Sequence, residues 1–331
     1  MIRVAILSFW HVHATDYARQ ALDDPRTEIV AAWDEDPERG RARAASLGVP
    51  FHDDLAELLR MPNLDGVIVT TPTSEHRAVL TAAADAGRHI FTEKVLGLTP
   101  GDCQVILEAV DRSGVTLTVS LPRLAHGYTN AIRAVLADER LGEVTLVRAR
   151  LSHDGALGEG WLPAHFFDPA QTGGGALVDL GCHPMYLTRL FLGSMPVRVT
   201  ALFGRVTDRP VEDNAVAVLG IASGALGVVE AGFVNRSSPF SIEVHGTEGS
   251  LLYGTPEPKL LLRTWKDGTA EVTELPIPGD TPSPFEQWLG HIEDGTKAVE
   301  NIALAVDLTI LMDAAARSAQ QWQTVTPEAT A

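Results

Sequence analysis

Near its start the chain reads Arg3-Val-Ala-Ile-Leu7 and then Ser8-Phe-Trp-His-Val-His13, and this segment is the best guide to its fold. The first five residues are typical of a strand, the next six predict a turn, and residues 14–22 have the apolar spacing of a helix. A second strand is predicted at 28–33, and Asp34 follows it directly. A strand, a turn and a helix, followed by a strand that ends at an acidic residue, are typical of a dinucleotide-binding unit.

The alternation of strands and helices continues to about residue 120. Three further apolar strands are predicted at 66–70, 89–92 and 115–119, and the segments between them have helical patterns. Near-continuous apolar strands that alternate with helices predict a parallel sheet covered on both faces. We therefore expect residues 1–121 to form a doubly wound α/β domain.

The pattern changes after residue 121. Helices are predicted at 176–192 and 285–319, and seven strands separated by short turns are predicted between 197 and 275. Because consecutive strands with short connections pair in opposite directions, we expect a mostly antiparallel sheet. The sequence therefore predicts that residues 122–331 form an α+β domain built on a large open sheet.

Composition excludes several classes of protein. The 331 residues include 26 Lys and Arg against 43 Asp and Glu, for a formal net charge of −17 at pH 7. This charge argues against a partner that is a nucleic acid, which needs a basic surface, and against a polybasic protein on a membrane. The longest uncharged stretch, at 214–229, is shorter than the roughly 18 residues of a membrane span. Two cysteines, Cys103 and Cys182, are too few for a disulfide framework and predict reduced thiols in a cytoplasmic protein.

The first turn lacks the glycine signature G-x-G-x-x-G that is typical of dinucleotide sites. The interaction requires backbone N–H groups at the start of a helix and room for the pyrophosphate, rather than glycine itself. Ser8 is small enough for the turn, and Ala14 is small enough for close packing. Trp10 and His11 are bulky and predict a wider loop or a weaker dinucleotide interaction. His11 and His13 could also suggest a metal site, but no third ligand lies near them in the sequence, so we assign no metal.

The acidic residue after the second predicted strand indicates which dinucleotide binds. The Asp34 carboxylate can accept hydrogen bonds from the ribose hydroxyls of the adenosine. The same charge, together with Glu35 and Asp36, would repel the 2′-phosphate of NADP. These residues favour NAD over NADP, although a solvated acidic turn before Pro37 explains the same three residues.

Three further segments make a specific set. Two of them each follow a predicted strand, and they read Thr70-Thr-Pro-Thr-Ser-Glu-His76 and Thr92-Glu-Lys-Val95. The third opens a predicted helix and reads Gly173-Gly-Gly-Ala-Leu-Val-Asp179-Leu-Gly-Cys-His183. Their order and spacing resemble the glucose–fructose oxidoreductase/inositol dehydrogenase (Gfo/Idh/MocA) family over essentially the whole chain, together with Asp34, Leu141-Gly-Glu143 and Gly246-Thr-Glu-Gly-Ser250. The resemblance implies that 1–121 is an NAD(P)-binding Rossmann domain and that 122–331 serves substrate binding and oligomerisation.

The resemblance also implies NAD(P)-dependent oxidation or reduction at a hydroxyl-bearing carbon of a sugar, glycoside or cyclitol. The family's Glu-Lys-Pro motif matches Glu93 and Lys94, with Val95 in place of the proline. A peptide bond before a residue other than proline is almost always trans, so we expect the turn after Lys94 to differ from that of the family. The residues expected to bind the dinucleotide are Ser8, Phe9, Trp10, His11, Asp34, Thr71, Pro72, His76, Glu93 and Lys94.

Three residues are expected to carry the chemistry that the resemblance implies. The Lys94 ammonium near the nicotinamide can bind the reacting oxygen and stabilise a developing alkoxide. His183 can take the hydroxyl proton near neutral pH. Asp179 is four residues earlier, so it shares a helix face with His183 and can orient the sugar. Spacing alone would suit a helix-terminal aspartate and a packed core histidine, so these two roles rest on the resemblance.

Substrate contacts are expected from Arg123, which matches a family position after the fifth strand, and from Trp161 and His165 in the Gly-rich loop before the helix. Simple packing explains each of these three residues equally well. Further possibilities are His153, Asp154 and Tyr186.

Two other functions are compatible with the sequence. One is a glycoside hydrolase that uses bound NAD for transient oxidation and elimination, as some relatives of the family do. The other is a non-catalytic sensor of a sugar or dinucleotide, which the missing glycines and Val95 favour. Retention of Lys94, Asp179 and His183 favours an enzyme, because binding alone needs no acid–base set. An open sheet would also leave an apolar face, which the family covers by forming homodimers or homotetramers.

Overall fold

The computed structural model describes residues 1–158, 161–237, 240–254, 257–266 and 268–328. The chain is divided into two compact units. Among the described residues, unit 1 consists of 1–121 and 282–306, and unit 2 lies within 122–281 and 307–328. No helix in the described part of the chain combines the length and the hydropathy that a membrane span requires.

Unit 1 contains a parallel sheet of five strands, which are β1 (Ile2–Leu7), β2 (Thr27–Trp33), β3 (Gly66–Val69), β4 (His89–Thr92) and β5 (Leu117–Val119). Their order across the sheet is β2-β1-β3-β4-β5. A parallel bridge between Ala32 and Phe51 extends the sheet beyond β2. With this bridge counted as a strand, the order is the 3-2-1-4-5-6 of the Rossmann fold. The doubly wound parallel sheet predicted from the sequence is confirmed.

The helices of unit 1 before residue 122 are α1 (Ala14–Asp23), α2 (Pro37–Leu47), α3 (Leu55–Leu59), α4 (His76–Asp85) and α5 (Pro100–Ser113). Local sequence explains where they begin and end. Helix α5 starts at a capping box formed by Thr99 and Asp102 and stops at Gly114, whose φ of 70° is left-handed. The Asp36 carboxylate accepts two backbone N–H groups at the start of α2.

Unit 2 contains an eight-stranded sheet, whose strands are β6 (Val144–Ser152), β7 (Arg198–Gly204), β8 (Asn214–Gly220), β9 (Leu226–Gly232), β10 (Ser241–Gly246), β11 (Gly249–Tyr253), β12 (Leu260–Lys266) and β13 (Thr269–Leu275). Their order is β13-β12-β11-β10-β6-β9-β8-β7, and the described pairs are antiparallel except for β6 with β9. The predicted large, mostly antiparallel sheet is confirmed. Along β7 and β8 the buried face carries Val199 and Ala201, whereas the exposed face carries Leu202, Val216 and Val218.

The α-helices of unit 2 before residue 193 are α6 (Gly127–Ala137), α7 (Pro169–Thr172) and α8 (Cys182–Leu192). A π-helical segment, Leu177–Gly181, lies directly before α8. The sequence predicts one α-helix over 176–192, so this wider turn is a correction to that prediction. Short 3₁₀ helices complete the local structure at Thr73–Glu75, Pro122–Leu124 and Ala164–Phe167.

The chain continues into two helices, α9 (Pro284–Asp294) and α10 (Val299–Gln321), where the sequence predicts a single helix over 285–319. The break follows from Gly295, which ends α9 in a left-handed conformation with a φ of 63°.

Helix α9 belongs to unit 1 although patterning alone assigns it to the second half of the chain. Phe285 and Trp288 are fully buried in the core of unit 1, with ring centroids 5.5 and 5.9 Å from that of Phe91. Their burial removes large aromatic surfaces from water, which explains why a distant segment joins this core.

Candidate active site

The turn after β1 obtains its shape from a serine. Ser8 has a φ of 76°, the left-handed conformation that glycine usually supplies, and it is fully buried. The Thr70 hydroxyl donates to the carbonyl of Ser8 at 2.6 Å, which ties the turn to the end of β3. The small serine therefore replaces the glycine of the missing signature at this position.

Backbone N–H groups of this turn bond to protein acceptors. Phe9 N–H donates to Asp34 Oδ2 at 2.8 Å, and Trp10 N–H donates to Ser8 Oγ at 3.0 Å. His11 N–H donates to the carbonyl of Thr70 at 3.1 Å. These donors hold the turn in shape, whereas in a glycine-rich turn they would face the phosphates.

Asp34 connects this turn to α2. Its side chain is fully buried and accepts from Arg39 at 3.0 Å (Nε) and 2.6 Å (Nη2), and from the N–H of Asp36 at 2.8 Å. Arg39 also pairs with Glu35 at 2.6 Å. Reasoning from sequence missed Arg39, whose position in the first turn of α2, five residues after Asp34, was the available signal.

Buried polar groups follow β3, where the predicted Thr71, Pro72 and His76 lie. His76 is fully buried, and its Nδ1 lies 2.9 Å from the carbonyl of Val95, to which it donates. Burial lowers the pKa of His76 below its ordinary value. Thr71 Oγ1 is buried without a hydrogen-bond partner among the described residues. A buried hydroxyl of this kind suits a dinucleotide, because an unmade bond to a buried polar atom is costly.

Glu93, directly after β4, is the centre of a buried charged cluster. Its Oε1 accepts from the Tyr17 hydroxyl and lies 2.8 Å from His13 Nδ1, while its Oε2 accepts from the N–H of Lys94 at 3.0 Å. Burial alone would raise the pKa of Glu93, but His11 and His13 hold it well below its usual range. Glu93 is therefore an ionised carboxylate inside the protein, and Tyr17 and His13 are partners that sequence reasoning did not find.

Lys94 is buried, at 6% exposure, next to this cluster. The peptide bond between Lys94 and Val95 is cis, so the expectation of a trans bond was wrong. The segment is packed on all sides, with Val95 at 2% exposure and its carbonyl bonded to His76. The cis bond is therefore found in a buried, hydrogen-bonded segment that has Val95 where the family motif has proline.

On unit 2 the π-helical segment carries Asp179. The Glu212 carboxylate accepts from the N–H groups of Gly175 at 2.9 Å and Leu177 at 3.1 Å, immediately before Asp179. A Cβ on Gly175 would lie 2.1 Å from the carbonyl oxygen of Glu212, so only glycine allows this approach. Burial raises the pKa of Glu212. π-helical turns are frequent at functional sites, so this segment is compatible with a functional role for Asp179. No signal in the sequence connects this segment to Glu212.

His183, on the first turn of α8, has a neutral partner. Its Nδ1 lies 3.2 Å from the Tyr186 hydroxyl, which accepts from the N–H of Arg123 at 3.0 Å. Burial raises the pKa of Tyr186 well above its ordinary value, so its hydroxyl stays protonated near neutral pH. The structure therefore brings the predicted His183 and Arg123 together through Tyr186.

Aromatic side chains fix the guanidinium of Arg123. It lies 4.0 Å from the centroid of the Phe240 ring, and its Nη1 donates to the Tyr128 hydroxyl at 3.1 Å.

The other predicted substrate residues lie in the segment after β6. Trp161 is 59% exposed, and its Nε1 donates to Asp154 Oδ1 at 3.3 Å. The His153 ring stacks on Phe233, with 5.0 Å between the ring centroids. Burial lowers the pKa of His153, and the negative charge of Asp179 opposes this shift. These contacts connect Trp161 with Asp179 by way of His153, whose ring centroid is 4.6 Å from that of Trp161. His165 lies next to Phe166 instead, at 5.1 Å.

Comparison with known families agrees with this architecture. Residues 2–121 match the oxidoreductase family with an NAD-binding Rossmann fold, and residues 129–252 match the GFO/IDH/MocA C-terminal domain. This chain belongs to the GFO/IDH/MocA family. The resemblance deduced from the motifs is confirmed.

Known relatives of this GFO/IDH/MocA chain include dehydrogenases of cyclitols and sugars. It is 33% identical over 268 residues to the scyllo-inositol 2-dehydrogenase (NAD(+)) of Bacillus subtilis, covering 77% of this chain and 74% of that protein. It is 31% identical over 287 residues to the D-xylose 1-dehydrogenase (NADP(+)) 2 of Haloferax volcanii, covering 85% and 84%. In fold it is similar to an oxidoreductase domain protein of Kribbella flavida, with a TM-score of 0.85, 22% identity and coverage of 99% and 100%.

The family assigns the class of activity. The chain is an NAD(P)-dependent oxidoreductase of a family that acts on sugars and cyclitols, and its relatives are named dehydrogenases and reductases. Their names include both NAD and NADP, so the family does not decide between the two dinucleotides.

Proposed function

We propose that this enzyme transfers a hydride between a hydroxyl-bearing carbon of a sugar, glycoside or cyclitol and the nicotinamide of NAD(P). The observation that carries the proposal is Lys94, a lysine at 6% exposure directly after a parallel strand and next to an ionised Glu93. A cation is rarely buried without a task, and this one follows β4 at the carboxyl edge of the sheet, the edge at which α/β domains bind ligands.

The dinucleotide, when bound, accepts or supplies the hydride. The buried Thr71 hydroxyl is suited to hydrogen-bond one of its polar groups. The other side chains proposed to hold it belong to the turn after β1, to the ends of β2 and β3 and to the segment after β4; they are Ser8, Phe9, Trp10, His11, Asp34, Pro72, His76, Glu93 and Lys94.

The protein's own groups handle the oxygen and the proton. Lys94 binds the reacting oxygen and stabilises its negative charge as it develops, which in a dry site is worth several kcal/mol. His183 takes the hydroxyl proton at Nε2 and returns it in the reverse reaction. The Tyr186 oxygen has two lone pairs, which can accept both Arg123 N–H and His183 Nδ1–H. With the His183 proton on Nδ1, Nε2 is the nitrogen that would act as the base.

The remaining polar residues of unit 2 bind the sugar. Asp179 accepts hydrogen bonds from sugar hydroxyls, and Arg123 donates to ring or hydroxyl oxygens. Trp161 offers an aromatic face at 59% exposure, and His165 adds a hydrogen-bonding group.

The charges around Asp34 favour NAD over NADP. Arg39 would be the natural partner of a 2′-phosphate, but its guanidinium already pairs with Asp34 and Glu35. Two carboxylates against one guanidinium leave a local negative charge that repels the additional phosphate. The ratio of kcat/KM for NAD and NADP measures this preference, and Glu35→Gln should shift it toward NADP.

A substrate screen tests the function as a whole. The purified chain is mixed with NAD or NADP and with a panel of sugars, inositols and glycosides, and reduced nicotinamide is followed by its absorbance. We expect turnover with at least one polyol and its loss in Lys94→Ala. Glycoside cleavage without net reduced nicotinamide would establish the hydrolase alternative, and binding without turnover of any compound would establish the sensor.

We also propose that the enzyme is a cytoplasmic homodimer or homotetramer. Leu202, Val216 and Val218 form an exposed apolar row on β7 and β8, and a second copy would remove this row from water. Cys103 and Cys182 are both buried and form no disulfide, as is typical of a reducing compartment. Light scattering measures the oligomeric state, and Val216→Glu should weaken the assembly.

A further inference from the structure

Three potential metal ligands come together on unit 1, at the carboxyl ends of β1 and β4. His11 and His13 lie in the turn after β1, and Glu93 follows β4. One ligand atom of each residue lies within 4.8 Å of those of the other two. His11 and Glu93 are buried, at 6% and 1% exposure, and His13 is half-buried. The third ligand is invisible near the histidines in the sequence, because Glu93 is 80 residues from His13 and only the parallel sheet brings them together.

The distances suit an ion of the size of Zn²⁺. Zn–N and Zn–O bonds of about 2.0–2.2 Å in a tetrahedron place neighbouring ligand atoms about 3.3 Å apart. His13 Nδ1 and Glu93 Oε1 are 2.8 Å apart, and His11 Nδ1 and the same oxygen are 3.6 Å apart. The two distances lie on either side of the tetrahedral value, so small side-chain movements would satisfy both.

The types of donor point to the same ion. Two imidazole nitrogens with one carboxylate oxygen suit zinc and neighbouring transition metals, whereas Mg²⁺ and Ca²⁺ prefer sets made of oxygen. Three protein ligands leave the fourth tetrahedral position for water or for an oxygen of a bound molecule.

Hydrogen bonds already orient the carboxylate in the way that outer contacts do in metal sites. Tyr17 donates to Glu93 Oε1, and its hydroxyl oxygen lies 2.7 Å from Ser120 Oγ. Metal binding would replace two contacts, between His13 Nδ1 and Glu93 and between His13 N–H and His11 Nδ1, the latter at 3.2 Å.

We propose that His11, His13 and Glu93 bind a divalent transition-metal ion, with Zn²⁺ as the ion that the geometry favours. Two of these ligands, His11 and Glu93, are also among the residues proposed to hold the dinucleotide, but hydride transfer to a nicotinamide itself needs no metal. Bound there, the ion would link the turn after β1 to the end of β4 through the side chains of His11, His13 and Glu93. It would also add positive charge at the carboxyl edge of the sheet in a chain whose net charge is −17.

Metal content and affinity test the proposal on the full-length chain without a histidine tag. The protein is stripped with a chelator and dialysed against Zn²⁺, and we expect one zinc per chain by mass spectrometry. Glu93→Gln and His13→Asn should each weaken zinc binding by at least about tenfold in a competition titration with a fluorescent chelator. His52→Ala removes a histidine of unit 1 outside the cluster and should leave zinc affinity unchanged.

His13→Asn protects the test against a folding defect, because its amide can still donate to Glu93 and because His13 is only half-buried. Co²⁺ provides a second readout: the visible absorption of tetrahedral cobalt should appear in the unchanged protein and be lost in both cluster variants. A chain that takes up no zinc overturns the proposal, as does a folded His13→Asn variant that binds zinc as tightly as the unchanged chain. Since neither measurement uses dinucleotide or sugar, the proposed hydride transfer can fail or succeed separately.

Discussion

The Lys94 region of unit 1 and the His183 region of unit 2 are built on opposite electrostatic principles. Next to Lys94 lies a buried carboxylate, Glu93, which stays ionised because two histidines and a tyrosine hydroxyl surround it. Next to His183 lies Tyr186, whose raised pKa keeps it neutral. A group that must bind developing negative charge gains from a fixed field, whereas a group that must exchange a proton gains from an uncharged partner that orients it.

The two regions also differ in how the chain assembles them. The partners of Glu93 come from the turn after β1 and from α1, and Tyr17 in turn contacts Ser120 after β5, so only the folded sheet brings these residues together. His183 and Tyr186 are three residues apart on one helix, and only Arg123 comes from a distance. The first region is therefore sensitive to the fold of unit 1 as a whole, and the second is sensitive to the local path of α8 and the π-helical turn.

The strongest test of this division of labour removes each charged or titrating group in turn. Lys94→Ala and His183→Ala should each lower kcat by about 100-fold or more, because each removes a group that acts in the transition state. Lys297→Ala and His291→Ala, which change helix and loop residues outside both regions, serve as matched controls. The division fails if either Lys94→Ala or His183→Ala turns over sugar at the rate of its control.

Glu212→Gln should destabilise the backbone of the π-helical segment that precedes His183. The amide oxygen can still accept from one of the two N–H groups of Gly175 and Leu177, but the NH2 group faces the other, so one buried hydrogen bond is lost. A loss of about 2 kcal/mol in the free energy of unfolding is expected for a buried donor left unsatisfied. The midpoint of denaturant unfolding measures it, with the exposed Glu274→Gln as control. Equal midpoints for the two variants would mean that the π-helical turn holds its shape without Glu212.

Tyr186→Phe should sharpen the comparison, because it leaves a packed ring and removes only the hydroxyl. The loss of one hydrogen bond to His183, worth about 1 kcal/mol, should lower kcat by about five- to tenfold and displace the pH profile of kcat. A merely structural role would change stability without moving the pH profile. Tyr253→Phe, whose ring stacks 4.4 Å from Tyr128, is the matched control and should leave the profile in place.

The sequence predicts the elements of both regions better than their contacts. Glu93 and Lys94 are found at the end of an apolar strand because hydrophobic runs fix the strand. The ion pair of Asp34 with Arg39 and the bonds of Glu212 to Gly175 depend on side-chain directions that periodicity does not encode. The cis bond at Lys94 contradicts a rule that is right for nearly every bond of its kind.

The π-helical turn shows the same limit in the backbone. Apolar spacing over 176–192 is compatible with an α-helix, and the wider turn at Leu177–Gly181 becomes visible only when Glu212 is placed against Gly175 and Leu177. Likewise, α9 joins unit 1 because Trp288 completes an aromatic core with Phe91, a long-range fit that a local pattern does not contain.

The smallest expected effect concerns pH, and it compares one histidine from each unit. Burial lowers the pKa of His76 and of His153, against opposing charges from Glu93 in the first case and from Asp179 and Asp154 in the second. Above about pH 6.5 each histidine is neutral in both the folded and the unfolded chain, so neither affects stability there. Below that pH the unfolded chain takes up protons that the folded chain resists. Stability therefore falls, by at most about 1.4 kcal/mol per pH unit for each histidine.

His76 is fully buried and His153 only half-buried, so the acid loss should be larger for His76. Denaturant midpoints measured from pH 7.5 to 5.5 should fall less steeply in His76→Gln than in the unchanged protein, with a weaker flattening in His153→Gln. The comparison uses slopes rather than absolute stabilities, because each substitution also changes packing at every pH. Parallel curves for all three proteins would mean that neither histidine resists protonation in the folded chain.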